Sequence, residues 1–165
     1  MAKDNDILEL ADGGTLTRVV AVRLRPGTDV LLGLEEACKR ANISNGVILT
    51  GMGSPNGVKY CNPIELEDSP SGYGYGAPLE LVGVIELTGM SGIICHDAEG
   101  NTNLHVHVDL SDRHGGGHGG HLVEGTKVLL TTDVIIAEIG GKVNMGRAFD
   151  KELGVPIFNP TQIEV

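Results

Sequence analysis

Apolar and polar residues alternate strictly between residues 103 and 110. Successive side chains of a β-strand point to opposite faces, so in a strand four aliphatic side chains here would lie on one face and four polar ones on the other. The aliphatic set is Leu104, Val106, Val108 and Leu110, and the polar set is Asn103, His105, His107 and Asp109. This pattern predicts a strand with one face buried in a core and the other face open to a ligand.

One segment instead shows helical spacing. Its apolar residues, at positions 31, 34, 38 and 41, recur every three or four residues after the turn at residues 26–28. Thr28 or Asp29 is the predicted N-cap, and Lys39 and Arg40 lie where the helix dipole favours cations. Gly33 inside this helix costs about 1 kcal/mol relative to alanine, so we predict that it marks close packing against a sheet.

Strand and turn patterns fill most of the remaining chain. Strands are predicted at residues 17–25, 46–50, 57–61, 79–87, 92–95 and 127–139, with a hairpin at 149–158 that turns at 150–154. Residues 62–76 form a predicted long loop, of a length typical of a lid or an oligomer contact. The fold class is therefore α+β: a mainly antiparallel β-sheet packed with one principal helix, in a single domain across residues 1–165.

Composition and charge narrow the functional classes. The chain has 165 residues, 41% of them hydrophobic, and a formal net charge of −10. Nucleic-acid affinity depends on clustered basic residues, so this negative charge disfavours nucleic acid and anionic membranes as ligands. Three widely spaced cysteines without a Cys-x-x-Cys pair indicate a reducing compartment, and no apolar run reaches the roughly 20 residues of a membrane span. We predict a cytoplasmic location.

Five of the six histidines lie between residues 105 and 121. His105 and His107 share a strand face about 7 Å apart, close enough to bind one ion together. A third histidine from the glycine-rich loop at residues 113–121 would complete a three-histidine site with an open position, as in catalytic zinc centres. Zinc is the default ion for imidazole ligands, although iron, nickel, cobalt and copper also accept them.

Two acidic residues are candidates for catalytic roles beside such a metal. Asp109 shares the histidine face and could orient a ligand, or could be an ordinary surface acid at a strand end. Glu124 could act as a base for a metal-bound water, or could begin a turn with Gly125. Four arginines are candidates for holding a carboxylate substrate, and the sequence does not choose among them: Arg18, Arg23, Arg113 and Arg147.

Three sets of motifs resemble one known family. They are Arg25-Pro26-Gly27 before the helix, the segment GVILTGMGS at residues 46–54, and LHVHV at 104–108 followed by GGHL at 119–122. In this order they resemble the PPC domain, conserved in plants and prokaryotes, over a core of about residues 18–158. The plant proteins carry an Arg-Gly-Arg-Pro AT-hook beside this domain, and the present sequence has none.

The resemblance implies a homotrimer of α+β subunits and, in prokaryotic members, a metal bound by His105, His107 and His121. His114 or His118 could replace or supplement His121, because the preceding loop is unusually rich in histidine. The fold and site are also similar to those of α-acetolactate decarboxylase. We therefore expect a metalloprotein with an open position for a small molecule; the candidate enzyme class is a zinc-dependent lyase or hydrolase. The alternatives are a DNA-associated or protein-assembly module, and a scaffold with a vestigial site.

Overall fold

The computed structural model describes residues 8–164, and within that range one helix accompanies ten strands. The elements, in chain order, are β1 (Gly14–Leu24), α1 (Val30–Ala41), β2 (Gly46–Cys61), β3 (Pro63–Glu65), β4 (Tyr73–Tyr75), β5 (Leu79–His96), β6 (Thr102–Asp112), β7 (Gly117–Leu122), β8 (Lys127–Gly141), β9 (Val143–Asp150) and β10 (Val155–Gln162).

Eight strands form one sheet in the order β1-β8-β2-β7-β6-β5-β9-β10, and β3 pairs with β4 separately. Strand β2 also pairs with β5, so β2, β5, β6 and β7 form a closed ring of hydrogen-bonded strands. Nearly every pairing is antiparallel; the exception is the single parallel pair His96–Gly146 between β5 and β9. The predicted α+β class, a mainly antiparallel sheet with one helix in one domain, is confirmed.

The segments predicted as two strands at residues 46–50 and 57–61 are parts of one 16-residue strand, β2. The division predicted between them is therefore wrong. The residues between these two segments include Gly51 and Gly53, and at each of them another strand lies too close for a side chain. A Cβ built on Gly51 would lie 2.9 Å from Met90 Cβ, and one on Gly53 would lie 2.7 Å from Thr132 Cα. These glycines therefore serve close sheet packing and not a turn.

Other strand boundaries also differ from the predicted ones. The strands expected at residues 79–87 and 92–95 are one strand, β5, and the long loop at residues 62–76 contains the β3–β4 hairpin. The glycine-rich segment at residues 113–121, predicted as a loop, is not a loop along its whole length. Instead residues 117–122 form β7, because their backbone groups find ladder partners on both β6 and β2. The predicted C-terminal hairpin is confirmed as β9–β10, with its turn at residues 151–154.

Helix α1 begins directly after a residue of a type that caps helix N-termini. Asp29 is the N-cap, and its carboxylate accepts a hydrogen bond from the Leu32 backbone N–H at 3.3 Å. A Cβ on Gly33 would lie 2.8 Å from Thr28 Cγ2 and 3.0 Å from Leu24 Cδ2. The predicted close packing of this glycine against a sheet is therefore confirmed, and the strand it meets is β1. The helix ends at Ala41, and Asn42 follows in the left-handed region with φ of 54°.

The core lies between α1 and one face of the sheet. The buried face of the helix carries Val30, Leu34 and Cys38, and it packs on the aliphatic face of β6, where the predicted alternation is present without exception. The sheet face of β6 that carries His105 and His107 therefore points away from the helix. No helix in the described part of the chain is long and apolar enough to cross a membrane.

Candidate metal centre

The register between β6 and β7 brings three histidines together. His107 and His121 are directly opposed in the antiparallel ladder, so their side chains leave the sheet on the same face. His105 lies two residues before His107 on that face. Backbone hydrogen bonds between β6 and β7 thus fix the positions of the three histidines, and no loop residue is needed to bring them together.

The three imidazoles converge closely enough to share one ion. Their ring centroids are 5.0 Å apart for His105–His107, 5.0 Å for His105–His121 and 5.4 Å for His107–His121. One ligand atom from each ring lies within 4.8 Å of the others. Among the described residues, this is the group of histidine, cysteine and carboxylate side chains that could hold a metal.

The nitrogen positions fit a tetrahedral metal. His105 Nε2 and His107 Nε2 are 3.1 Å apart, and Zn–N bonds of about 2.0–2.1 Å place neighbouring tetrahedral ligands roughly 3.4 Å apart. Two ring nitrogens at this distance need either a proton between them or a common cation. His121 Nδ1 is buried without a hydrogen-bond partner, which is a second sign that the cluster is incomplete without a ligand. The residues present therefore fit a divalent ion.

The environment favours the neutral, ligating form of two of these rings. Burial lowers the pKa of His121 to about 4, helped by His105, His107 and the positive charge of Arg147. The pKa of His105 is lowered by burial too, with contributions from Arg147 and His107. Metal binding requires unprotonated imidazole, so these two rings lose little affinity to proton competition at neutral pH.

Two further side chains border the cluster. The ring of Tyr75, on the β3–β4 hairpin, lies 5.2 Å from that of His121 between centroids. Arg147, on β9, donates from Nη1 to Asn103 Oδ1 at 2.9 Å and to the Leu104 carbonyl oxygen at 3.1 Å. Of the four candidate arginines, Arg147 is the one placed beside the histidines. Sequence reasoning missed Tyr75 because it is 46 positions from its partner in the chain.

The other three arginines are engaged or placed elsewhere. Arg18 pairs with Glu138 on β8 at 2.8 Å, and Arg113 donates to His114 Nε2 at 3.0 Å in the turn after β6. Arg23 lies on β1, across the sheet from β6.

The remaining histidines do not join the cluster. His118 lies opposite Leu110 in the β6–β7 ladder, so it points to the other face from His121, and it contacts Asp112 at 3.0 Å. His114 is occupied by Arg113, as described above. His96 Nε2 lies 2.8 Å from Asn144 Oδ1. The structure therefore gives neither His114 nor His118 a ligand position.

The two acidic candidates have different placements. Asp109 is on the histidine face, and a Cβ on Gly89 would lie 2.9 Å from its Oδ2, but no hydrogen bond within the described chain joins it to the three histidines. Glu124 follows β7 and lies near Glu35 of α1, whose pKa it helps burial to raise. It is therefore on the helix side of the sheet, away from the cluster, and is badly placed to act as a base there.

The fold and the cluster together define a class: a single α+β domain whose antiparallel sheet presents three histidines on its open face. Residues 11–140 match the sequence profile of the Plants and Prokaryotes Conserved (PCC) domain. Because this match covers most of the chain, the protein belongs to that family, also written PPC, and the predicted resemblance is confirmed.

Solved structures have the same fold. A plant- and prokaryote-conserved protein from Pyrococcus horikoshii is 23% identical, covers 94% of this chain and 100% of its own, and gives a TM-score of 0.77. A protein from Archaeoglobus fulgidus described as metal-containing is 21% identical, covers 92% and 99%, and gives 0.74. A protein from Bacteroides thetaiotaomicron provisionally named as DNA-binding is 17% identical, covers 90% and 98%, and gives 0.71.

A curated relative is much longer. The bifunctional protein GlmU of Synechococcus sp. strain JA-3-3Ab is 27% identical over 121 residues, which are 73% of this chain and 17% of that protein. The chain thus spans about a sixth of the length of this relative.

Proposed function

We propose that this protein binds one divalent metal ion, zinc in the first instance, through His105, His107 and His121. The observation that carries this proposal is the convergence of three imidazoles from two paired strands, with two Nε2 atoms 3.1 Å apart. The metal-containing fold neighbour from Archaeoglobus supports it independently. Three protein ligands would leave a fourth position for a small molecule.

The chain's own residues shape what could bind at that position. A zinc ion held by three histidines would act as a Lewis acid toward a bound oxygen and would lower the pKa of bound water. Tyr75 forms an aromatic wall beside His121, and Arg147 supplies positive charge on the neighbouring side. A lyase or hydrolase reaction is compatible with this arrangement.

Metal analysis of protein purified without a histidine tag tests the proposal. We expect about one zinc ion, or another divalent ion, per chain, and complete loss in the double variant His105→Ala with His107→Ala. The variant His114→Ala is the matched control, because it removes an imidazole that lies outside the cluster. Full metal content in the double variant would refute the proposal.

DNA association is the second candidate, and the name of the Bacteroides neighbour is the observation in its favour. The net charge of −10 opposes it, because a duplex ligand needs basic residues to displace counterions. A gel shift at physiological salt decides between the two. We expect no retardation of duplex DNA; a complex that weakens with rising salt would establish the DNA-associated alternative.

We also propose that the protein assembles with copies of itself, as a homotrimer. Large apolar side chains on the sheet support this, since Val82 is 86% exposed and Val84 is 58% exposed on β5. Light scattering after size exclusion should then give about three times the 17.3 kDa chain mass. A monomeric mass would overturn it. A cytoplasmic location stays a prediction.

A further inference from the structure

Arg147 reaches the histidine cluster from β9, which is separated from β6 by β5 in the sheet. It is anchored by Asn103, whose side chain shares the outer face of β6 with His105. Residues two apart on a strand face are about 7 Å apart, so the guanidinium lies next to the proposed metal site. Its second anchor, the Leu104 carbonyl oxygen, fixes the group against the strand itself.

This arginine is charged and half-buried, and it has no acidic partner among residues 8–164. The ion pairs formed by residues 8–164 involve Arg18, Arg40, Lys127 and His118, and none involves Arg147. The chain has 22 acidic residues, so the missing partner is not explained by scarcity. A partly desolvated charge without a counterion is unfavourable, and a divalent ion nearby would add repulsion. An anion at this position would relieve both.

The guanidinium also has donors without a hydrogen-bond partner in the described chain. Both recorded hydrogen bonds leave from Nη1, whereas Nε is buried with no partner in the described chain. The Nε–H and Nη2–H groups form the side of the planar fork that binds a carboxylate through two parallel hydrogen bonds. Both donors lack a partner within residues 8–164: Nη2 is the one that an oxyanion reaches first, and the Nε–H beside it is covered by protein and still unpaired.

From these observations we infer that Arg147 is the anion anchor of the site, and that the small molecule bound there is a carboxylate. One carboxylate group pairs with Arg147, while a second oxygen of the same molecule faces the three histidines. This inference rests on the proposed metal site for the second contact, and the first contact depends on Arg147 alone.

Titration with oxalate, malonate and succinate tests the inference, because the three dicarboxylates sample different spacings. Calorimetry on metal-loaded protein should show binding of at least one of them, and no binding of the neutral diamide of the same length. The variant Arg147→Gln should weaken that binding at least about tenfold, and Arg147→Lys should fall between, because lysine keeps the charge and loses the fork. Arg113→Gln, outside the site, should bind as the wild type does.

Two controls separate this inference from the proposed metal site. Metal content and thermal melting of each variant show whether it is folded and loaded. In metal-free wild type, the ¹⁵N-labelled Nε–H signal of Arg147 should shift as the dicarboxylate is added and stay fixed with the diamide. A wild type that takes up no metal would refute the proposed function, whereas this signal still reports on the anchor. Equal affinity in Arg147→Gln, or an Nε–H signal unmoved at saturating dicarboxylate, would overturn the inference.

Discussion

Removing the metal should leave this protein folded, in contrast to small domains that a structural zinc holds together. The ligands lie on β6 and β7, which five cross-strand residue pairs already join, so the ion closes no loop between distant elements. The other face of β6 is packed in the core, with Val106 1% exposed and Val108 and Leu110 each 3% exposed. The apo fold therefore keeps both its ladder and its hydrophobic packing.

The stabilisation by metal is then a matter of mass action. Above the dissociation constant, each tenfold rise in free ion adds about 1.4 kcal/mol to the free energy of unfolding. For a chain of this length, 1 kcal/mol shifts the melting temperature by about 2–4 °C, so we expect about 3–6 °C per tenfold rise.

Thermal melts followed by circular dichroism, in buffers of defined free metal concentration, measure the slope of melting temperature against the logarithm of free metal. The far-ultraviolet spectrum at 25 °C should be unchanged by a chelator, and the double variant at His105 and His107 should show no slope. Loss of the β-sheet spectrum on chelation would refute the reasoning, since it would mean that the ion and not the ladder holds β6 and β7 together. A metal-bound wild type with no slope would refute it equally.

Three further predictions concern the frame around the site. Leu34→Ala should cost about 2–5 kcal/mol in urea unfolding, because Leu34 is 0% exposed in the core, while Leu32→Ala, at 43% exposed, should cost less than about 1 kcal/mol. Asp29→Ala should cost about 2–4 kcal/mol, because this carboxylate accepts from the Leu32 and Gly125 backbone N–H groups and pairs with Lys127 at 3.4 Å; a loss within error would exclude the cap as a stabilising contact. Burial raises the pKa of both Cys38 and Cys95 to about 11, so their reactive thiolates become populated only as the pH rises toward that value. Mass spectrometry should find both thiols unmodified by iodoacetamide at pH 8 until urea unfolds the chain, and rapid labelling of the native protein would contradict the burial argument.

The elements with a clear local period were predictable from sequence. The alternation on β6 depends only on which side chains face the core, and the spacing at Leu34 and Cys38 in α1 has the same origin. The hairpin β9–β10 followed from its turn residues. Strand β2 was divided wrongly because Gly51 and Gly53 also mark turns, and only the approach of Met90 and Thr132 shows that they mark close packing.

For the site, the amino-acid order alone determined that His105 and His107 share a face, since two residues per repeat is a property of any extended chain. The pairing of β7 with β6 decided the rest. It set His121 opposite His107, turned His118 to the other face and excluded Glu124 from the cluster. Only the tertiary structure brings Arg147 and Tyr75 beside the histidines. Arg147 arrives through the packing of β9, and Tyr75 through the packing of the β3–β4 hairpin, so strand register and packing join residues that are far apart in the chain. Such contacts arise from hydrogen bonding between distant strands, for which a single sequence contains no local signal.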